Sequence, residues 1–183
     1  MIYKVFRKII QSIEAINSEI RIVVLRMKYP GIEITGDSHI SKGCKIICVD
    51  GGKLILNNVF INYGAFIFCS QNAVLKIEKS YIGMNSVIAS YKKISIKENC
   101  EIAEMVVIRD QDHTHDLSNN PIKNQGLKSS SITLNENVWV GAKATILRGV
   151  SVGKNSVIGA NALVNNSFLE SSIIVGVPAR KIN

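Results

Sequence analysis

An apolar residue at every sixth position, turn-forming residues between the hits and a scarcity of aromatic side chains together predict a mainly β fold. The predicted chain is a parallel β-helix built from six-residue repeats and preceded by one α-helix. Leu134, Val140, Ile146, Val152, Ile158 and Val164 follow one another at steps of six. A second column, Ile132, Val138, Ala144, Val150, Ser156 and Ala162, runs two residues earlier. On a helix a step of six rotates a side chain by about 600°, which scatters the hits over several faces. On a strand six is a multiple of two, so every hit faces the same side. Gly, Asn and Asp fall between the hits, as in "VGKNSVIGAN", where the chain must turn every few residues. Short strands turning at a fixed interval make a solenoid, with three hexapeptides, about 18 residues, to a coil.

The first element differs. In residues 1 to about 28, Val5, Phe6, Ile9, Ile10, Ile13, Ile16 and Ile20 recur at three- and four-residue steps with charges between them, a helical period. Tyr29-Pro30-Gly31 closes it, because Pro and Gly end helices. Residues 1–30 are therefore read as an amphipathic helix and 31–183 as the β-helix. The helix has two readings: packing on its own domain or a neighbouring subunit, or peripheral contact with a membrane, since Lys4, Arg7, Lys8, Arg21 and Arg26 make it basic. Between 31 and 95 the spacing is less regular, which predicts coils carrying small insertions.

Composition bounds the partners. The 183 residues suffice for one domain with a real core, and 46 % of them are apolar, so the chain is not a disordered segment. The net charge of +8 suits an anionic partner. No dense basic run with interleaved aromatics occurs, which argues against nucleic acid. Cys44, Cys48, Cys69 and Cys100 form no Cys-x-x-Cys pair and read as buried thiols in a reducing compartment. With no signal-peptide plan and no long apolar run, the expected location is cytoplasmic, with membrane association through the helix as the variant.

The six-residue step is lost between Ile108 and Ile132, where a polar insertion at about 109–131 opens with "RDQDHTHD" and holds two of the three histidines. A loop of that length inside a compact domain is commonly functional. Histidine is the side chain suited to removing a hydroxyl proton near neutral pH, and it needs a partner that fixes its tautomer. His113 and His115 are the candidate bases, and Asp110, Asp112 and Asp116 the candidates for orienting the ring or holding substrate hydroxyls. A His-x-His pair can also bind metal, but His39 lies several coils away, so no metal site is expected.

The stretch "VWVGAKATILRGVSVGKNSVIGANALV", followed by "IIVGVPARKI", resembles the hexapeptide-repeat, left-handed β-helix acyltransferases, and among them the bacterial O-acetyltransferases of surface-polysaccharide sugars. The resemblance covers about residues 31–183. It implies a left-handed coil, where general rules would give right-handed crossovers. It implies acetyl-CoA as co-substrate, a sugar or glycan acceptor and a homotrimer with the site between subunits. Similar loops read Asp-His-Asn-His with the last His as base, which puts that role on His115, with His113 as the second candidate. Trp139 falls at the groove-lining position, and the backbone N–H groups of Gly141 and Ala142 would lie near the thioester. Ala160 would offer its N–H to the pantetheine arm, and Arg180 and Lys181 would meet the CoA phosphates. Two other readings stand beside O-acetylation in surface-polysaccharide (O-antigen or capsule) synthesis: N-acyl or antibiotic-modifying transfer on the same fold, and a non-catalytic scaffold.

Overall fold

A computed structural model describes residues 2–116 and 120–183. Among the described residues it contains one α-helix, α1 (Ile2–Lys28), followed by a parallel β-solenoid of about six turns. Three sheets form the walls of a prism. The first face stacks Ile32–Thr35, Lys53–Asn57, Val74–Glu78, Lys93–Ile96, Ile132–Leu134 and Ser151–Val152. The second runs from His39–Ile40 up to Ile173–Gly176, where Ala179–Lys181 folds back antiparallel. The third runs from Lys45–Cys48 to Leu163–Val164.

The inward columns are those the six-residue step predicts. Ile40, Ile61, Ile82, Ile102, Val140, Ile158 and Ile174 stand in register on the second face, and Ile46, Ile67, Ile88, Ile108, Ile146 and Val164 on the third. These aliphatic side chains fill the axis and are almost all fully buried. Among the described residues no aromatic ring is part of the buried core, which is filled by aliphatic side chains with Ala and Cys between them. At the corners the chain turns through left-handed backbone, and Asn85, Asn99, Asn137, Asn155 and Asn161 take φ between 56° and 62°. Asn tolerates that region better than other residues with a Cβ.

The late coils advance by eighteen residues, from Leu134 to Val152 and Val140 to Ile158. The early ones take twenty-one, from Leu56 to Ile77 and Ile67 to Ile88. The additional residues lie between the third and first faces: ten positions separate Ile67 from Ile77, against six from Ile146 to Val152. That corner tolerates insertion, and the histidine-bearing segment leaves from it two coils higher.

Replacing Ile88, fully buried at mid-height, by Ala leaves a cavity that neighbours on the rigid ladder cannot close. Chemical denaturation should show a loss of about 2–5 kcal/mol.

Candidate functional site

The described part of the insertion holds a β-hairpin. Gln111–His113 pairs antiparallel with Leu127–Ser129, placing His113 opposite Leu127. Thr114 N–H donates to Gly126 O (3.0 Å) and Ser130 N–H to Asp110 O (2.9 Å), which closes the hairpin at both ends. Toward its tip the Gln125 side chain accepts from Asp116 N–H and donates to Asn120 O, each at 2.7 Å.

Asp110 fastens the hairpin to the coil below. Its carboxylate is fully buried. It accepts from Ser90 Oγ (2.8 Å) and from the backbone N–H groups of Tyr91 (2.7 Å), Lys92 (2.9 Å) and Lys93 (2.8 Å). Three consecutive N–H groups converging on one anion form a nest. The sequence put Asp110 among the groups serving the histidines. Its oxygens are instead committed to this turn, so it acts by positioning the hairpin. Asp112 accepts from Arg148 Nε at 2.7 Å, which ties the first hairpin strand to the coil above. Neither carboxylate hydrogen-bonds a histidine ring among the described residues.

The two histidines differ in surroundings. His113 lines a cleft of about 220 Å³ with Tyr91, Arg109, Gln111, Asp112 and Leu127. Gln111, which sequence reasoning did not single out, is 8 % exposed, and its Oε1 is a buried acceptor without a hydrogen-bond partner among the described residues. Such an atom is uncomfortable unless a donor reaches it. Its only signal in the sequence was its place within "RDQDHTHD". Both rings are exposed, but His115 lies outside the cleft and has Nδ1 3.3 Å from the His113 carbonyl oxygen.

The residues expected to meet acetyl-CoA lie on the second face and at its corner with the third. Trp139 projects outward and is 56 % exposed, between Glu101 below and Val157 above. Gly141 has no room for a side chain: a Cβ would fall 2.6 Å from Ala160 N. Its N–H is committed to Ile158 O at 2.7 Å and so is not free for the thioester role expected of it. The Ala142 and Ala160 N–H groups make no hydrogen bond among the described residues. Arg180 and Lys181 are exposed on the terminal strand, whose backbone pairs with Val175 and Ile174. They are thus carried on fixed backbone at the top of the second face.

One chain does not bring the two sets together. Ala142 precedes the third-face strand Thr145–Ile146, whereas the hairpin leaves after Val107–Arg109, the strand paired with it from below. Histidines and free amides therefore stand at opposite edges of one wall, roughly 20 Å apart at strand rise.

The cysteines offer no competing nucleophile. Burial, then the neighbouring Cys48, pushes the Cys69 thiol up to about 11, and burial also raises Cys44, Cys48 and Cys100. Among the described residues no three metal-ligating side chains cluster, and His39 is stacked on Phe60 in the first coil at 4.6 Å.

Comparison with known proteins places these features. Residues 131–166 match the model of the bacterial transferase hexapeptide family (six repeats). The galactoside O-acetyltransferase of Escherichia coli is 32 % identical over 68 % of this chain and 57 % of its own length. WbbJ of Escherichia coli, provisionally named a lipopolysaccharide biosynthesis O-acetyl transferase, is 33 % identical over 52 % of each. A Bacillus cereus N-acyltransferase solved with dTDP and 3-hydroxybutyryl-CoA superimposes with a TM-score of 0.70 over 86 % of this chain and 85 % of that one, at 23 % identity. The chain spans 35 to 57 % of the length of the first curated relatives it matches. Residues 131–166 are thus hexapeptide repeats within a parallel β-solenoid, a fold that the chain shares with the Bacillus cereus N-acyltransferase.

Replacing Asp110 by Asn keeps the shape but turns an amide toward donors that need an acceptor. It should cost roughly 2–5 kcal/mol in unfolding experiments, near the cost of Asp110→Ala. In the native state the thiols should react with a disulfide reagent far more slowly than in denaturant at the same neutral pH.

Proposed function

We propose that the protein is an acetyl-CoA-dependent O-acetyltransferase acting on a sugar hydroxyl in surface polysaccharide biosynthesis, O-antigen or capsule, by direct transfer with a histidine base. The observation that carries this reading is the cleft beside His113, where an unpartnered buried acceptor and an imidazole line one space on an anchored hairpin. The names of the relatives support acyl transfer, two of them to a hydroxyl.

In this reading a sugar hydroxyl enters the cleft and another polar hydrogen of the sugar donates to Gln111 Oε1. A ring nitrogen of His113 takes the hydroxyl proton as the oxygen attacks the thioester carbon. The new C–O bond forms, the C–S bond breaks, and the proton passes from His113 to the departing thiolate sulfur. The free N–H of Ala142 is suited to hold the oxyanion, as preorganised donors do, and that of Ala160 to hold the pantetheine arm. Trp139 lines the groove, which the Gly141 backbone approaches closely, and Arg180 and Lys181 take the phosphates. Resemblance favours His115 as base, but the cleft favours His113, and that is the assignment we make. Asp110 and Asp112 position the hairpin. Because histidines and free amides lie at opposite edges of one wall, direct transfer needs the hairpin of one copy over the corner of the next. A cyclic trimer supplies that arrangement.

His113→Ala should lower kcat about 10²–10⁴-fold while leaving the KM for acetyl-CoA nearly unchanged, and His115→Ala should do much less. Thiol release on a panel of hydroxyl and amino sugars reads both. A large loss confined to His115→Ala would move the base there. In calorimetry, acetyl-CoA should bind more tightly than its analogue lacking the 3′-phosphate, and Arg180→Ala with Lys181→Ala should erase the difference. A folded protein that binds neither would refute the reading.

A further inference from the structure

We propose that α1 lies flat on an anionic membrane surface and holds the solenoid end-on to it. The helix is fastened by one face. Ser18 Oγ accepts from Ile40 N–H at 2.9 Å, Arg21 Nη1 donates to Ile40 O at 2.9 Å, and Arg26 donates to Ile34 O. Ile22 is buried, and Leu25 and Tyr29 pack against the core. From Ser18 to Tyr29 the chain covers roughly 16 Å of helical rise, all of it against the first coil. The helix therefore crosses the open end of the prism instead of extending its axis.

The opposite face is bare. Phe6, Ile9, Ile13, Ile16, Ile20, Val23 and Met27 recur at alternating three- and four-residue steps, with Ile10 and Val24 beside them, and they are 49 to 82 % exposed. Ile20 and Ile22 are about 200° apart around the helix, so the stripe points away from the solenoid. A contiguous apolar patch of this extent marks an interaction surface.

Two observations select a bilayer over a second helix. The stripe spans roughly 140° of the circumference, wider than the seam that a paired helix covers and matched to a half-immersed cylinder. Beyond Arg21 and Arg26, which are committed to the first coil, the segment carries Lys4, Arg7, Lys8 and Lys28 against Glu14, itself paired with Arg21, and Glu19, on a chain of net charge +8. That charge complements anionic headgroups. Among the described residues no helix is long and apolar enough to cross a membrane, so α1 lies on the surface and does not span. Resting on the acyl-transfer reading, the acceptor would be a glycan held by a lipid. The hairpin leaves the fourth coil, three ladder steps or about 15 Å above the docked end, within reach of sugars standing off the headgroups.

The test is co-sedimentation of the full chain with vesicles of phosphatidylcholine alone or mixed equally with phosphatidylglycerol, alongside the Ile13→Asp/Ile20→Asp variant. The wild type should bind the anionic vesicles at least about tenfold more tightly than the neutral ones, and more weakly in high salt. The variant should lose vesicle binding while its sedimentation coefficient, thermal midpoint and acetyl-CoA affinity stay unchanged. Absence of wild-type binding overturns the proposal. So does a smaller assembly in the variant, which would mean that the stripe is buried between copies. Acetyl-CoA affinity is read on the same samples, so failed docking leaves the acyl-transfer reading standing. Conversely, failed acetyl-CoA binding leaves the docking result intact.

Discussion

In a parallel solenoid the backbone groups of each coil are satisfied only by the coils above and below, so the structure depends on how that ladder is continued and how it is ended. Between the ends, continuity follows from the register of the inward aliphatic columns, since a shift by one residue would turn every core side chain outward. At the ends, orphaned N–H and C=O groups must find other partners. At the first coil α1 provides them: Ser18 and Arg21 meet both backbone groups of Ile40, and Arg26 meets Ile34 O. At the last coil the tail does so. Ile182 N–H donates to Ile173 O (2.9 Å), and Asn183 Oδ1 accepts from Ile173 N–H (2.7 Å). The basic pair Arg180 and Lys181 is thus carried by a segment that the ladder requires for its own termination.

The same constraint decides where a functional insertion can stand. Ile108 pairs with Ile146, and Ile96 with Leu134, as though residues 110 to 130 were absent. The hairpin leaves and rejoins at the one corner where the early coils already carry additional residues. Its base is closed by Ser130 N–H on Asp110 O, and Gly149 N–H then donates to Ser130 O (3.1 Å), which returns the chain to the ladder. Asp110 holds the departing strand from below through the 91–93 turn, and Arg148 holds Asp112 from above. Both carboxylates beside the histidines therefore make the hairpin rigid, as the proposed histidine base would require.

This division of labour bears on what the sequence could disclose. The late coils were legible because each face takes six residues, so one column repeats without a slip from Leu134 to Val164. The early coils were less so, since extra residues at one corner break the count without breaking the register. Asp110 read as chemistry because an acid beside histidines is the usual mark of a site, and a nest on the preceding coil leaves no trace in local sequence. Gln111 was passed over for the opposite reason: a glutamine gains significance only from the burial that leaves its oxygen unpartnered. For α1 the apolar stripe was visible, but that the opposite face, and not the stripe, packs on the prism depends on Ser18, Arg21 and Arg26 reaching backbone groups that only the folded first coil presents. Gly141 looked like a free amide by motif, and the next coil had already taken it.

Assembly joins the two proposals. A contact in which the hairpin of one copy covers the corner of the next is heterologous, and such a contact either closes into a ring or grows without limit. Closure about an axis parallel to the solenoids would set every α1 at the same end of the ring. The stripes would then face one way and lie near one plane. A dihedral assembly would point them in opposite directions, and only one set could touch a bilayer. Several weak helices in one plane bind far more strongly than one, because after the first contact the others act at high effective concentration. The ring that completes the transfer site would be the same ring that makes marginal helices sufficient. Disrupting the contact between copies should then weaken membrane binding and catalysis together, although α1 and the histidine hairpin share no residue.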